Sequence, residues 1–338
     1  MASPYDDLPS TAFWQSGVAE RAPLDPGPLY TPRVRVAPKT RVATAGSCFA
    51  QHLGQALSAA GVSVVDAEPV ADDFPQTEEM RRGYRLFSAR YGNIYTAAQW
   101  VQLIREAEGM VAPADPVWEK GGRYFDAQRL SLDPEGFDTP EDVLRHREHH
   151  LERVRWLLRN FDVLVFTLGL TEHWEHIETE TVYPMAPGVL AGRFAPEIHR
   201  HVMADANSVL RDLEAARKLM RKINRKIRII LTVSPVPLTA TASGLHVEVA
   251  NSLSKSTLRA AAGMMTARHS DVDYMPSYEV ITSANARGAY FDANNRTVSP
   301  AGIARVMDLF LGAQGLSPAH TTPLDTHCDE TLLEAFSA

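Results

Sequence analysis

The run Asp162-Val163-Leu164-Val165-Phe166-Thr167-Leu168 constrains this chain more than any other stretch. It lacks the polar alternation of a strand with one wet face. It therefore reads as a central strand covered on both sides, which occurs in parallel sheets sandwiched between helices. The run at 227–233 has the same character. Such a strand demands two covering layers, and the rest of the chain supplies them.

Strand-like and helix-like pieces alternate along the sequence. Residues 41–45 form a first β-prone run, and 47–60 a helical pattern with Phe49, Leu53 and Leu57 spaced by four and Gly61 as its stop. A second strand is expected at 62–65, a helix at 96–108, and a hairpin at 118–132 turning on Gly121-Gly122. A charge-rich helix follows at 140–159. After the apolar strand come a second hairpin or loop excursion at 174–187, a helix at 204–224, the strand at 227–233, a helix at 247–269, a short strand at 272–275 and a closing helix at 301–311. Strands separated by helices imply right-handed crossovers. The expected fold class is α/β, a three-layer α/β/α sandwich with a mostly parallel sheet.

Residues 1–40 carry seven prolines and little periodicity, and read as an extended N-terminal arm lying over the body or used in assembly, which would permit a homo-oligomer. The main domain then spans 41–312 with hairpin insertions, and 313–338 form a C-terminal tail, expected to be loosely held.

Composition narrows the function. The 338 residues are 45% hydrophobic and 22% charged, enough to bury a sizeable core, and the net charge of -7 is spread along the chain. No basic patch with interleaved aromatics points to nucleic acid. No apolar run approaches the length of a membrane span, and no basic segment leads into an apolar stretch at the start, so a soluble, cytoplasmic protein is expected. Two cysteines, Cys48 and Cys328, stand far apart, which argues against a disulfide framework.

The chemistry-bearing stretch is Thr44-Ala45-Gly46-Ser47-Cys48-Phe49-Ala50. A strand ends in Gly-Ser and a helix begins at once. Ser47 thus sits at the carboxyl end of a strand and the amino end of a helix, where N–H groups and the helix dipole favour a developing negative charge. Open α/β sheets place their reactive groups at this edge. Ser47 is the candidate nucleophile; the bland alternative is that it only caps the helix.

Gly46-Ser47-Cys48-Phe49-Ala50 resembles the signature of the GSCFA family, a branch of the SGNH (GDSL-like) hydrolases. Supporting pieces are Arg90-Tyr91-Gly92-Asn93-Ile94-Tyr95-Thr96, Thr167-Leu168-Gly169-Leu170-Thr171-Glu172, Ser234-Pro235-Val236-Pro237-Leu238 and Pro276-Ser277-Tyr278-Glu279, covering roughly residues 41–310. The resemblance implies a flavodoxin-like sandwich and serine-dependent ester chemistry on an acylated carbohydrate or similar small molecule. It also implies oxyanion donors: the Ser47 N–H, Gly92 with Asn93 beside it, and the Gly169 block, where Thr171 stands in place of the superfamily's asparagine. The bland readings are that Gly92 supplies a turn and Thr171 a cap.

The superfamily's D-x-x-H pair has no counterpart. In Phe291-Asp292-Ala293-Asn294-Asn295, Asn295 stands where the histidine is expected. Another base must serve, or the site has become a carbohydrate-binding pocket. His246 is the first candidate, because it follows a strand-end segment that should open beside Ser47. His201, His199 and His173 come next, and Glu172 can orient or replace such a base if burial raises its pKa. Glu279 and Asp292 are weaker carboxylate candidates. Cys48 is expected to pack into the helix rather than react. His146-x-x-His149-His150 has a metal-like spacing, but its arginine neighbours favour a solvated face and no metal is assigned. With no phosphate-binding glycine loop, no cofactor is expected.

Overall fold

A computed structural model describes residues 3–71, 74–317 and 328–336. In chain order the elements are β1 (Arg41–Gly46), α1 (Phe49–Ala59), β2 (Ser63–Val64), α2 (Gln76–Glu79), α3 (Ala97–Ala107), β3 (Val117–Lys120), β4 (Arg123–Asp126), α4 (Pro140–Asn160), β5 (Val163–Leu168), β6 (Glu172–His176), β7 (Val182–Tyr183), β8 (His199–Met203), α5 (Ala206–Ile223), β9 (Arg228–Val233), α6 (Val247–Arg268), β10 (Val272–Tyr274), α7 (Ser277–Thr282) and α8 (Pro300–Gln314). A 3-10 helix, Asp329–Phe336, ends the described chain.

The central sheet has the order β2-β1-β5-β9-β10 and every pair in it is parallel. All six side chains of β5 are buried, as its unbroken apolar run requires. They alternate between two cores. Leu164, Phe166 and Leu168 face the layer of α3, α4, α5 and α6, where Trp100 stacks on Phe166 at 5.9 Å between ring centroids. Val163 and Val165 face α1, α7 and α8. Full burial of a side chain such as Phe166 contributes about 1.5–3 kcal/mol, and the sheet collects that contribution on both faces. The fold is a three-layer α/β/α sandwich.

The helices begin where local chemistry directs. Thr96 and Gln99 form a capping box on α3, Thr139 and Pro140 start α4, Asp205 caps α5, and Ser299 with Pro300 starts α8. Gly315, left-handed at φ 73°, stops α8. From the N-terminal arm, Tyr30, Val34 and Val36 are buried in the second core, tied down by Asp273, which accepts hydrogen bonds from the Tyr30 hydroxyl and the N–H groups of Arg33 and Val34.

Two features differ from the sequence reading. The excursion after β5 is a three-stranded antiparallel sheet, β7-β6-β8, and includes residues 199–203, where local pattern marks no element. Those residues become a strand through pairing with β6, a long-range contact that local periodicity does not encode. In α4, Arg147 and His150 are buried rather than solvated. Arg147 bonds the carboxylates of Glu106 and Asp126, and His150 Nδ1 lies 2.7 Å from Glu68. The charged stripe faces buried partners from other elements, and such pairing is what permits its burial.

Candidate active site

Ser47 lies where the chain order of the sheet reverses, since β1 has β2 on one side and β5 on the other. At such a switch point the strand-end loops diverge and leave a crevice. Gly46 makes the turn possible. Its φ of +131° disfavours any L side chain, and a Cβ there would stand 2.3 Å from the Thr167 carbonyl oxygen. The Ser47 N–H continues the ladder and donates to that same oxygen at 3.0 Å.

Ser47 does not cap α1 through its side chain. The N-cap position is Cys48, with no side-chain cap, and the Ser47 hydroxyl is buried with no hydrogen-bond partner among the described residues. An unengaged buried hydroxyl costs about 1–3 kcal/mol, which singles it out from the many satisfied serines of a folded chain. The Ser47 N–H, expected to face an oxyanion, is instead engaged in the sheet. The N–H groups remaining at this helix end are those of the first turn, Cys48 and Phe49, which an α-helix leaves without intrahelical acceptors.

Two loops close around this hydroxyl. In the loop before α3, Gly92 has φ +71° and the Ile94 N–H donates to Gly46 O at 2.9 Å. The Tyr95 carbonyl accepts from both Gly169 N–H (2.9 Å) and Leu170 N–H (3.1 Å), fastening the second loop to the first. Gly169 then lies directly over Ser47: an added Cβ would be 3.1 Å from Ser47 Cβ and 3.0 Å from Tyr95 Cδ1. Asn93 is buried and its Oδ1 is 3.5 Å from Gln51 Nε2. Thr171 is also buried, but its hydroxyl donates to Ser254 Oγ on α6 at 3.1 Å, so it ties a loop to a helix.

The carboxylate and histidine candidates separate. Glu172 accepts from the Thr241 hydroxyl at 2.7 Å and lies 2.8 Å from His201 Nε2. The β6–β8 register brings these two together, because Glu172 opposes Met203 and Trp174 opposes His201, leaving Glu172 and His201 as diagonal neighbours on one face. His246 is exposed at the N-cap of α6, where its Nδ1 accepts from Glu248 N–H at 3.3 Å. His173 pairs with Glu175 and His199 packs against Phe194. Asp292 and Asn295 are exposed, and Glu279 bonds Arg259 and Tyr274.

A polar cluster that the sequence reading missed stands beside Ser47. Lys255 on α6 is fully buried, and its ammonium donates to Gly169 O at 2.8 Å. Burial, helped by the nearby Arg296 charge, lowers its pKa to about 8, against the opposing pull of Glu330 and Cys48. Glu330, from the C-terminal 3-10 helix, is raised to about 7 by burial and by Cys328, although Arg296 is 3.4 Å away. Cys48 and Cys328 lie close enough to influence each other's protonation, and Cys328 is 3.9 Å from the Tyr95 hydroxyl. A signal for Lys255 existed: it falls on the buried stripe Ala250, Ser254, Leu258, Ala261, Ala262 and Met265 of α6, where an unpaired lysine is out of place. Nothing comparable marked Glu330 or Arg296.

Outside this cluster opens a cavity of about 260 Å³, walled by Tyr95, Leu170, Trp174, Met185 and Leu238, with the Glu172–His201 pair on one side and Glu330, Leu333 and Phe336 of the C-terminal segment on another. Among the described residues no helix is long and apolar enough to cross a membrane.

No curated protein matches the chain. The sequence model of the GSCFA family matches residues 41–310, from the first residue of β1 into α8, and so takes in the whole central sheet, Ser47, both glycine loops and Lys255. The chain belongs to the GSCFA family.

Proposed function

We propose that this protein is a serine-dependent acyl-transfer enzyme, an esterase or O-acyltransferase working on an acylated carbohydrate or similar ester through an acyl-Ser47 intermediate. One observation carries the reading: a buried Ser47 hydroxyl without a partner among the described residues lies under Gly169, whose carbonyl holds a buried lysine of lowered pKa. A neutral lysine amine is a competent base for a serine. In the proposed cycle Lys255, directly or across one water, takes the Ser47 proton as the hydroxyl attacks the ester carbonyl. The N–H groups at the start of α1 and around Gly92 receive the oxyanion. Lys255 then returns the proton to the leaving alcohol, and water or a sugar hydroxyl takes the acyl group. The adjoining cavity accommodates the substrate, with Glu172 and His201 on its wall.

A second reading, a binding protein that keeps the pocket without turnover, is favoured by a different observation. Among the described residues neither a histidine nor a carboxylate is within hydrogen-bond reach of Ser47 Oγ, and Asn295 is exposed. Intact-mass spectrometry after exposure to an activated fluorophosphonate separates the two. The acyl-transfer reading expects one adduct on the wild type and none on Ser47→Ala; an unmodified wild type supports the binding protein.

A further inference from the structure

Two cysteine thiols, neither in a disulfide, come together from distant parts of the chain beside the serine. Cys48 is buried at the start of α1, one residue after Ser47, and Cys328 is partly exposed at the start of the C-terminal segment. The two side chains are close enough for each to be the largest influence on the other's protonation. Cys328 is also 3.9 Å from the Tyr95 hydroxyl, and the Arg296 charge acts on it. The rest of its segment is anchored on three further elements. The Ser131 hydroxyl bonds Asp329, Arg296 pairs with Glu330 at 3.4 Å and Glu334 at 3.8 Å, and Thr239 N–H reaches Glu330 at 3.5 Å. Glu330, Leu333 and Phe336 thereby close one side of the cavity walled by Tyr95 and Leu170, which flank the Ser47 and Gly169 contact. The segment is a cover, and the thiol pair sits immediately before its 3-10 helix.

We infer that Cys48 and Cys328 form a reversible thiol–disulfide pair, oxidised by hydroperoxides, whose disulfide fastens the C-terminal segment over the Ser47 site. The roles follow from the surroundings. The neighbouring Cys48 thiol and the Arg296 charge favour the Cys328 thiolate, while Cys328 and burial keep Cys48 protonated. Cys328, the partly exposed thiolate, attacks a peroxide oxygen; the O–O bond breaks, the leaving oxygen takes a proton to give alcohol or water, and Cys328 becomes a sulfenic acid. Cys48 sulfur then attacks Cys328 sulfur, the S–O bond breaks, and hydroxide leaves with the Cys48 proton as water. Two thiols lose two electrons and two protons, and one hydroperoxide is reduced.

The test uses the full reduced chain and hydrogen peroxide, followed by denaturation, maleimide labelling and peptide mass spectrometry. The expected product has lost two hydrogens, takes no maleimide, yields a cross-linked Cys48–Cys328 peptide, and returns to two maleimide sites with dithiothreitol. Two reactive thiols after peroxide, a cross-link only between chains, or uncrosslinked oxidised Cys328 overturns the pairing. Fastening is read separately, as amide hydrogen exchange of residues 329–336, expected to slow at least tenfold on oxidation and to be insensitive to peroxide in Cys328→Ser. Exchange that does not slow overturns it. The consequence for Ser47 rests on the acyl-transfer reading, and predicts at least tenfold slower fluorophosphonate labelling of the oxidised protein. If exchange slows but neither redox form is ever labelled, the acyl-transfer reading fails and the thiol pair stands.

Discussion

Gly169 leaves no room between itself and Ser47. A Cβ at Gly169 would meet Ser47 Cβ at 3.1 Å and Tyr95 Cδ1 at 3.0 Å, tighter than ordinary packing, and the Gly169 carbonyl meanwhile holds Lys255. One glycine therefore sets both the position of the hydroxyl and that of the amine. Gly169→Ala is expected to cost about 1–3 kcal/mol, as overpacking does, while fluorophosphonate labelling of Ser47 falls roughly a hundredfold, as misplacement by about 1 Å can cause. Melting and labelling rates measured on the same preparation check it; unchanged labelling would mean that the loop yields without moving Ser47.

Gly46→Ala should be far worse for the fold. The substituent would stand 2.3 Å from Thr167 O at a φ of +131°, with backbone rather than a flexible side chain in the way. A loss above about 4 kcal/mol is expected, read by denaturant unfolding.

Ser47→Ala separates activity from stability. The hydroxyl it removes is buried without a partner among the described residues, so its loss relieves an unsatisfied polar group. The variant should melt at the same temperature or higher while losing all labelling. A clear drop in Tm would show that the hydroxyl has a partner in solution.

The pH dependence of labelling follows from Lys255. With its pKa lowered to about 8, the neutral amine gains population as pH rises through 8. The labelling rate should therefore climb between pH 7 and 9, and Lys255→Met should be slow and lack that climb. An identical profile in the variant removes Lys255 from the proton path.

Acid should destabilise the fold through two buried rings. Burial lowers the pKa of His52 and His150 to about 4, against 6.5 for the free side chain. Between those values the unfolded chain binds more protons, so stability rises with pH across the window and is lost on acidification. At pH 5 the loss is about 2 kcal/mol per ring. Glu68, lowered to about 2, contributes in the same direction between its ordinary value of 4.5 and 2. Its carboxylate sits on His150, with Arg129 adding to the pull and burial opposing it. A Tm lower by several degrees at pH 5 than at pH 7.5 is expected; a flat profile would place both rings in contact with water.

The layered fold was legible because it rests on local pattern. The apolar runs at β5 and β9 and the Gly-Ser junction after β1 each act on their own neighbours, and each appears where the sequence put it. Ser47 was legible for the same reason, since a strand end and a helix start define one point of a parallel sheet. What faces Ser47 was not. Lys255 arrives from α6, Arg296 from the turn before α8, and Cys328 and Glu330 from beyond it, over two hundred positions along the chain from Cys48. Glu172 and His201 were visible singly, and the register of β6 on β8 made them a pair. Sequence by itself determined the sandwich and the place of Ser47 between a strand end and a helix start, because periodicity and turn chemistry are local. Tertiary structure alone decided the serine's neighbours and their protonation, because burial and the proximity of charges exist only once distant segments are packed together.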